Sequence, residues 1–293
     1  MPNNHVRETQ EALTTQVLAA MSENPTGWAK PWREILTHTP HNATTGKAYQ
    51  GGNVLYLAMV QMAKGYPTTR WATYKQWESV GAQVRKGEKG TAMVKWGRTV
   101  CKGHSKDESC DKCGRMYASA FTVFNAEQVD GWVAPVVEEL TCGERFEVAE
   151  RWFAAVGAGV VEGGDRACYS PVTDRITVPR FAQFVDGAAY YATLAHEHAH
   201  WTGHESRLNR DLAGRFGSES YAVEELVAEL TAVFVCAELG VAAVPREDHA
   251  AYLASWLKVL KSDVKALWRA CSEAQKALGF MVGEVESRVA VAA

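Results

Sequence analysis

The sequence predicts an α+β protein in two parts: an N-terminal α+β domain and a C-terminal, mostly helical domain with a small sheet. Three observations predict it. Helical periodicity alternates with β-branched and aromatic runs up to about residue 129, whereas from about residue 186 the pattern is almost wholly helical. Between them "VAPVVEELTCGE" (133–144) carries a proline and reads as a linker. The charge also changes sign: residues 26–118 hold 15 Lys/Arg against 6 Asp/Glu, and residues 119–293 hold 15 against 25, within a net charge of −3. Parts of opposite sign point to two domains, 1–135 and 145–293, the first suited to a polyanion.

The elements follow in order. Residues 6–22 place Val6, Leu13, Val17 and Leu18 on one helical face, and "NPTG" (24–27) ends that helix. "GGNVLYLAMVQMAKG" (51–65) is an amphipathic helix stopped at Gly65, and 73–84 is a third, short one. "TAMVKWGRTV" (91–100) and "MYASAFTVFNAEQV" (116–129) read as paired strands. A helix is expected over 144–157, then two short strands around the turn "PVTD" within 167–179. Helices over 187–202, 219–239 and 247–278 complete the chain.

Composition narrows the class. Hydrophobic content of 47% and charged content of 22% are ordinary for a globular protein. No run of about 18 apolar residues exists, and "MPNNHVRETQEALTT" has no apolar signal core, so a cytoplasmic protein with no membrane partner is expected. Seven irregularly spaced cysteines argue for free thiols or metal ligands rather than disulfides. Cys142, Cys168, Cys236 and Cys271 stand isolated and read as packing residues.

"LAHEHAHWTGHESRLNR" (194–210) contains H-E-x-x-H. Residues four apart share a helical face, so His196 and His200 aim two imidazoles at one point, while Glu197 can reach water there and take its proton. The bland alternative is a polar helix face with solvated histidines. A catalytic zinc needs a third protein ligand. The position ten after the first histidine is Ser206, which cannot serve as a histidine ligand would, and His204 follows the helix-ending Gly203, which favours a rim role. The better candidate lies in "YAVEELVAELTAVFV" (221–235). Glu225 and Glu229 there share one face of an apolar helix and need a cation or donors to offset their desolvation. Glu225 is assigned as ligand and Glu229 as the carboxylate that steadies a ligating histidine, with the reverse order open; Glu224 is expected to face solvent. Such a set implies metal-assisted amide hydrolysis by a zincin-like peptidase with Zn2+, or another divalent ion such as Mn2+. "DRITVP" (174–179) offers an edge for an extended peptide.

In the basic part, Trp28, Trp32, Trp71, Tyr74, Trp77 and Trp96 all lie within a few residues of Lys or Arg. Aromatic faces that stack on bases, with cations along the phosphates, suit single-stranded DNA. Trp71, Tyr74, Lys75, Trp77, Arg85, Lys86 and Lys89 are the candidate contacts; the competing view is that the tryptophans are core and the lysines a solvated face. Within "CKGHSKDESCDKCG", the spacing of Cys101, His104, Cys110 and Cys113 fits a knuckle around a second, structural Zn2+, against three free cysteines on a hairpin tip.

The pieces "GWAKPW", "TTGKAYQGGNVLYL", "RWATYKQWESVGAQVRKGEKG", "FTVFNAEQVDG", "LAHEHAHWTGHESRLNR" and "YAVEELVAEL" resemble the ArdC-type antirestriction proteins of conjugative plasmids along nearly the whole chain. That resemblance implies an N-terminal single-stranded-DNA-binding domain and a C-terminal zincin-like metallopeptidase domain that together protect incoming DNA from host restriction. A protein substrate, such as a restriction component, is then expected. His198 stands where the family tends to have an apolar residue, and the Cys/His loop is an elaboration the pattern does not require. The alternative is a non-catalytic protein that shields single strands, with the metal domain as scaffold. Glu197 speaks for catalysis, since it is not needed to hold metal.

Overall fold

The computed structural model describes residues 4–23, 39–99, 115–134, 142–212, 218–241, 256, 258–263 and 265–292. Trp28, Trp32 and the candidate knuckle Cys101, His104, Cys110 and Cys113 lie outside the described residues. In the N-terminal half the chain runs α1 (Asn4–Glu23), β1 (His41–Asn42), α2 (Gly52–Lys64), β2 (Arg70–Ala72), α3 (Tyr74–Ser79), β3 (Gln83–Val84), β4 (Thr91–Arg98), β5 (Met116–Asn125) and β6 (Val129–Asp130). The C-terminal half adds α4 (Cys142–Val156), β7 (Gly159–Glu162), β8 (Cys168–Ser170), β9 (Arg175–Val178), α5 (Gly187–Thr202), α6 (Glu219–Leu239) and α7 (Ala266–Ala292).

One sheet has the order β1-β2-β5-β4, with β1 and β2 parallel and the other pairs antiparallel. The β4–β5 pairing runs from Thr91 opposite Val123 to Arg98 opposite Met116. Beside β4, Asn53 of α2 imitates a strand: its amide donates to Val94 O (2.7 Å) and its carbonyl accepts from Val94 N (3.1 Å). That contact occupies backbone groups of an edge strand that would otherwise be open to pairing. A two-stranded sheet, β3 with β6, closes over a small apolar cluster around Trp77.

Local chemistry explains most boundaries. Thr73 and Gln76 form a capping box at the start of α3. The helix expected over 73–84 stops at Ser79, because Gly81 (φ 77°) turns the chain back into β3. Gly65 (φ 66°) ends α2 and donates to Gln61 O and Met62 O. The last expected helix differs too: beyond Asp263, α7 extends well past residue 278.

In the C-terminal half β9 is central, parallel to β7 and antiparallel to β8. The expected peptide-pairing edge, 174–179, is therefore wrong: both sides of β9 are occupied, and β7 and β8 are the edge strands. An ion pair clamps this sheet to the segment after α5. Arg207 donates to Asp174 and to Tyr169 Oη (3.2 Å), and its guanidinium carbon lies 4.1 Å from the centroid of the Trp201 ring. Asp174, in the left-handed region (φ 50°), also accepts from Tyr169 Oη at 2.8 Å. The Arg207 hydrogen bonds hold the Asp174 carboxyl below the usual carboxylate range.

The two halves share one apolar cluster, from Val6, Leu13 and Met93 to Leu226, Trp256 and Met281. Trp268 of α7 is its keystone: the indole donates to Gln10 O of α1 (3.3 Å), and the ring lies over Gly52. A Cβ at Gly52 would stand 2.4 Å from that ring. Gly52→Ala should therefore cost about 1–3 kcal/mol of stability through overpacking, read as a lower urea midpoint at unchanged m-value. An unaltered midpoint would mean that α7 packs elsewhere in solution.

Candidate metal centre

Helix α5 is buried along most of its length, with Asp186 capping its first turn by accepting from Ala189 N (2.8 Å). Its spacing does what the motif requires. His196 Nε2 and His200 Nε2 face each other at 3.1 Å. The carboxylate of Glu225, from α6, closes the triangle at 3.6 Å from His196 Nε2 and 3.5 Å from His200 Nε2. These three residues offer donor atoms within 4.8 Å of one another.

The flanking groups decide what those nitrogens can do. His200 Nδ1 donates to Glu224 Oε1 at 3.2 Å. Glu229 Oε1 stands 2.9 Å from His196 Nδ1, near enough to fix the ring by charge, although the angle falls outside ordinary hydrogen-bond geometry. A carboxylate beside each Nδ1 favours the ring protons on that side, which leaves both Nε2 atoms free to present lone pairs. Two lone pairs and an anionic carboxylate facing one point repel each other unless a cation stands between them. Tetrahedral zinc with nitrogen ligands at about 2.0–2.1 Å puts neighbouring donors about 3.3 Å apart, which matches this triangle. The donor set fits a divalent metal.

Glu224 departs from expectation. It is buried rather than solvent-facing, and Arg210 holds it with Nε to Oε2 (3.0 Å) and Nη2 to Oε1 (2.9 Å). Arg210 also donates to Thr202 Oγ1 (2.9 Å) and Ala199 O (2.6 Å), tying the end of α5 to α6. Burial pushes the Glu224 carboxyl up, but the hydrogen bonds from His200 and Arg210 outweigh it and hold the group below its ordinary value. The signal for Arg210 in the sequence was only a basic residue after the motif, and nothing local tied it to Glu224, 14 residues on.

A cavity of about 210 Å³ opens over the triangle, lined by Glu197 and Tyr221 and by Arg166, Cys168, Tyr169 and Pro171 along β8. Glu197 is buried at its floor. Cys168, expected as a packing residue, is instead exposed at the cavity, whereas Cys236 and Cys271 are buried. His204 stands apart from the triangle and bonds Ser206 Oγ at 2.8 Å, a rim position. His198 points the other way. It donates to Leu194 O (2.8 Å), packs 4.8 Å from the Phe153 ring, and burial lowers its pKa to about 4, so it is a neutral core residue.

In the basic half, Trp71 and Trp77 are 0% exposed, so neither can stack on a base as expected. The Trp77 indole donates to Phe124 O at 3.1 Å and its ring meets Trp132 edge-on. Tyr74, Lys75, Arg85, Lys86 and Lys89 are exposed, although Arg85 pairs with Asp130 (3.2 Å) and Glu88 (3.4 Å).

Removing one member of a buried pair leaves an uncompensated charge. Arg210→Ala should thus lower stability by about 3–5 kcal/mol in urea unfolding, and adding Glu224→Gln should restore part of it. Additive losses in the double variant would mean that the two residues are not coupled.

The chain matches two families in order. The model of the N-terminal domain of anti-restriction factor ArdC matches residues 7–124, and that of the zincin-like metallopeptidases matches residues 147–273. An uncharacterized protein of Sinorhizobium fredii, y4eC, is 42% identical over 277 residues, covering 92% of this chain and 90% of that protein. The DNA primase TraC of Escherichia coli is 39% identical over 95% of this chain, which spans only 20% of the primase. The crystal structure of the Mn(II)-bound antirestriction ArdC protein from plasmid R388 superposes with a TM-score of 0.75 at 37% identity, covering 94% of this chain and 97% of that one. Among the described residues no helix is long and apolar enough to cross a membrane. This chain belongs to the ArdC antirestriction family, with an ArdC N-terminal domain followed by a zincin-like domain that carries a divalent-metal donor set.

Proposed function

We propose that this protein is a metal-dependent peptidase coupled to a single-stranded-DNA-binding domain, and that it protects incoming plasmid DNA from host restriction. The observation that carries the peptidase reading is the triangle of His196, His200 and Glu225 with Glu197 beside it in an open cavity. In this reading the three residues hold the metal, Zn2+ by donor chemistry, with Mn2+ the ion named for the R388 relative. A divalent cation held by these residues would supply Lewis acidity that polarises a carbonyl and lowers the pKa of water. Glu197 takes the water's proton and returns it to the leaving amine. Glu229 and Glu224 keep the ring protons on Nδ1 and so keep Nε2 available to the metal. The substrate peptide lies extended along the open side of β8, whose Cys168 and Tyr169 border the cavity.

The DNA part rests on the N-terminal excess of cations and on relatives named for antirestriction and DNA priming. A polyanion-binding half would bring the peptidase to proteins that gather on entering DNA, including a restriction component. The expectation of a pure shielding protein accounts less well for Glu197, whose carboxylate is buried at the cavity floor without being needed for the donor set.

Three variants test the roles. His196→Ala should lose the bound metal by elemental analysis. Glu197→Gln should keep metal and fold while peptide hydrolysis falls by about 10²–10⁴, because only the proton acceptor is removed; metal loss from this variant would refute the assignment. Glu225→Ala should weaken metal binding more than Glu229→Ala, for which about 10–100-fold is expected. Proteomics of recipient cells carrying wild-type or Glu197→Gln protein should reveal a host protein cleaved only by the former. Identical proteomes, with no hydrolysis of peptide libraries, would leave the metal as scaffold.

A further inference from the structure

With Trp71 and Trp77 in the core, the exposed aromatic rings of the basic half among the described residues are Tyr74 on α3 and a pair at the outer end of the β4–β5 ribbon. Trp96 is 51% exposed, Tyr117 42% and Met116 61%. Open aromatic rings of this kind offer flat faces on which a planar group can stack. The register explains why the rings are open. Trp96 stands opposite Ala118, whose methyl covers little of the indole. Tyr117 stands opposite Gly97 and lies across it, since a Cβ there would come within 2.6 Å of the ring. Each ring thus rests on the ribbon by one side and turns the other outward.

Cations surround both rings. Side chains alternate along a strand, so Trp96 shares its face with Arg98, and Tyr117 shares the opposite face with Lys95. Arg115 precedes β5. All three are exposed, and no carboxylate pairs with them among the described residues. Neither β4 nor β5 contains Asp or Glu. A protein interface also uses Trp, Tyr and Arg, but two strands that carry cations and no acid favour a polyanion with flat apolar groups.

We propose that this ribbon end grips single-stranded DNA, with bases stacked on Trp96 and Tyr117 and phosphates met by Lys95, Arg98 and Arg115. The proposal rests on the DNA-binding reading above and says where on the domain that binding occurs. Because the rings lie on opposite faces, the strand wraps the ribbon rather than crossing one side. Stacking needs unpaired bases, so duplex binds more weakly.

The test uses the full chain and a fluorescently labelled oligothymidylate, titrated by anisotropy over a range of salt concentrations. Trp96→Ala and Tyr117→Ala should each weaken binding by about 5- to 150-fold, the effect of losing one base stack. The salt slope should stay unchanged in both, as should the melting temperature, because the rings are exposed. Trp96→Phe should recover much of the affinity. Arg98→Ala or Lys95→Ala should instead reduce the log–log salt slope by about 0.7 each. If wild-type protein binds the oligonucleotide and both ring variants bind as tightly, the ribbon is not the grip, and its rings serve a protein partner while the DNA reading stands. If wild-type protein does not bind it, the DNA reading fails and this site fails with it.

Discussion

Helices α5 and α6 meet through carboxylates and imidazoles that would be costly to bury separately. Glu197, Glu224 and Glu225 are all buried with His196, and none would sit there without compensation. Arg210 and His200 neutralise Glu224, Glu229 orients His196, and the remaining lone pairs converge on one point. The polar arrangement constrains the helices as much as the apolar contacts do. Rotating either helix by one residue would leave several buried charges without partners, at a cost of several kcal/mol each.

Around that interface the fold supplies rigidity and access in different places. Arg207 locks Asp174 and Tyr169 against the end of α5, so the small sheet cannot drift away from the metal helix. The same lock leaves the outer edge of β8 along the cavity. Helix α7 reaches across to α1 and α2 through Trp268, and Gln275 accepts from Gly51 N at 3.0 Å. The basic half is therefore packed against the half with the metal site.

Much of this was legible in the chain. The metal helix and its two histidines follow from spacing, because a period of 3.6 fixes which side chains share a face. Glu225 was legible for a different reason: a carboxylate among Val223, Leu226, Val227 and Leu230 must be compensated. Glu224, one position away, was misjudged as solvent-facing, since its partner Arg210 reaches it from a loop and not along the helix. The tryptophans show the opposite failing. Proximity to Lys and Arg in sequence put Trp71 and Trp77 beside phosphates, yet both residues belong to elements whose inner faces form the core.

The sequence by itself determined the α+β class, the charge division, the longer helices, the β4–β5 pair and the H-E-x-x-H helix, which follow from patterns among near neighbours in the chain. It did not give the short strands β1, β2, β3, β6 and β7, which exist only through distant partners. The tertiary structure decided which strand is an edge, which rings stay open to solvent and which arginine neutralises which glutamate. Those depend on groups brought together from distant positions, as Trp268 with Gln10 or Tyr117 across Gly97. Periodicity reports the face a residue occupies. It carries no information about what will be packed against that face, and exposure, pairing and charge compensation are settled only there.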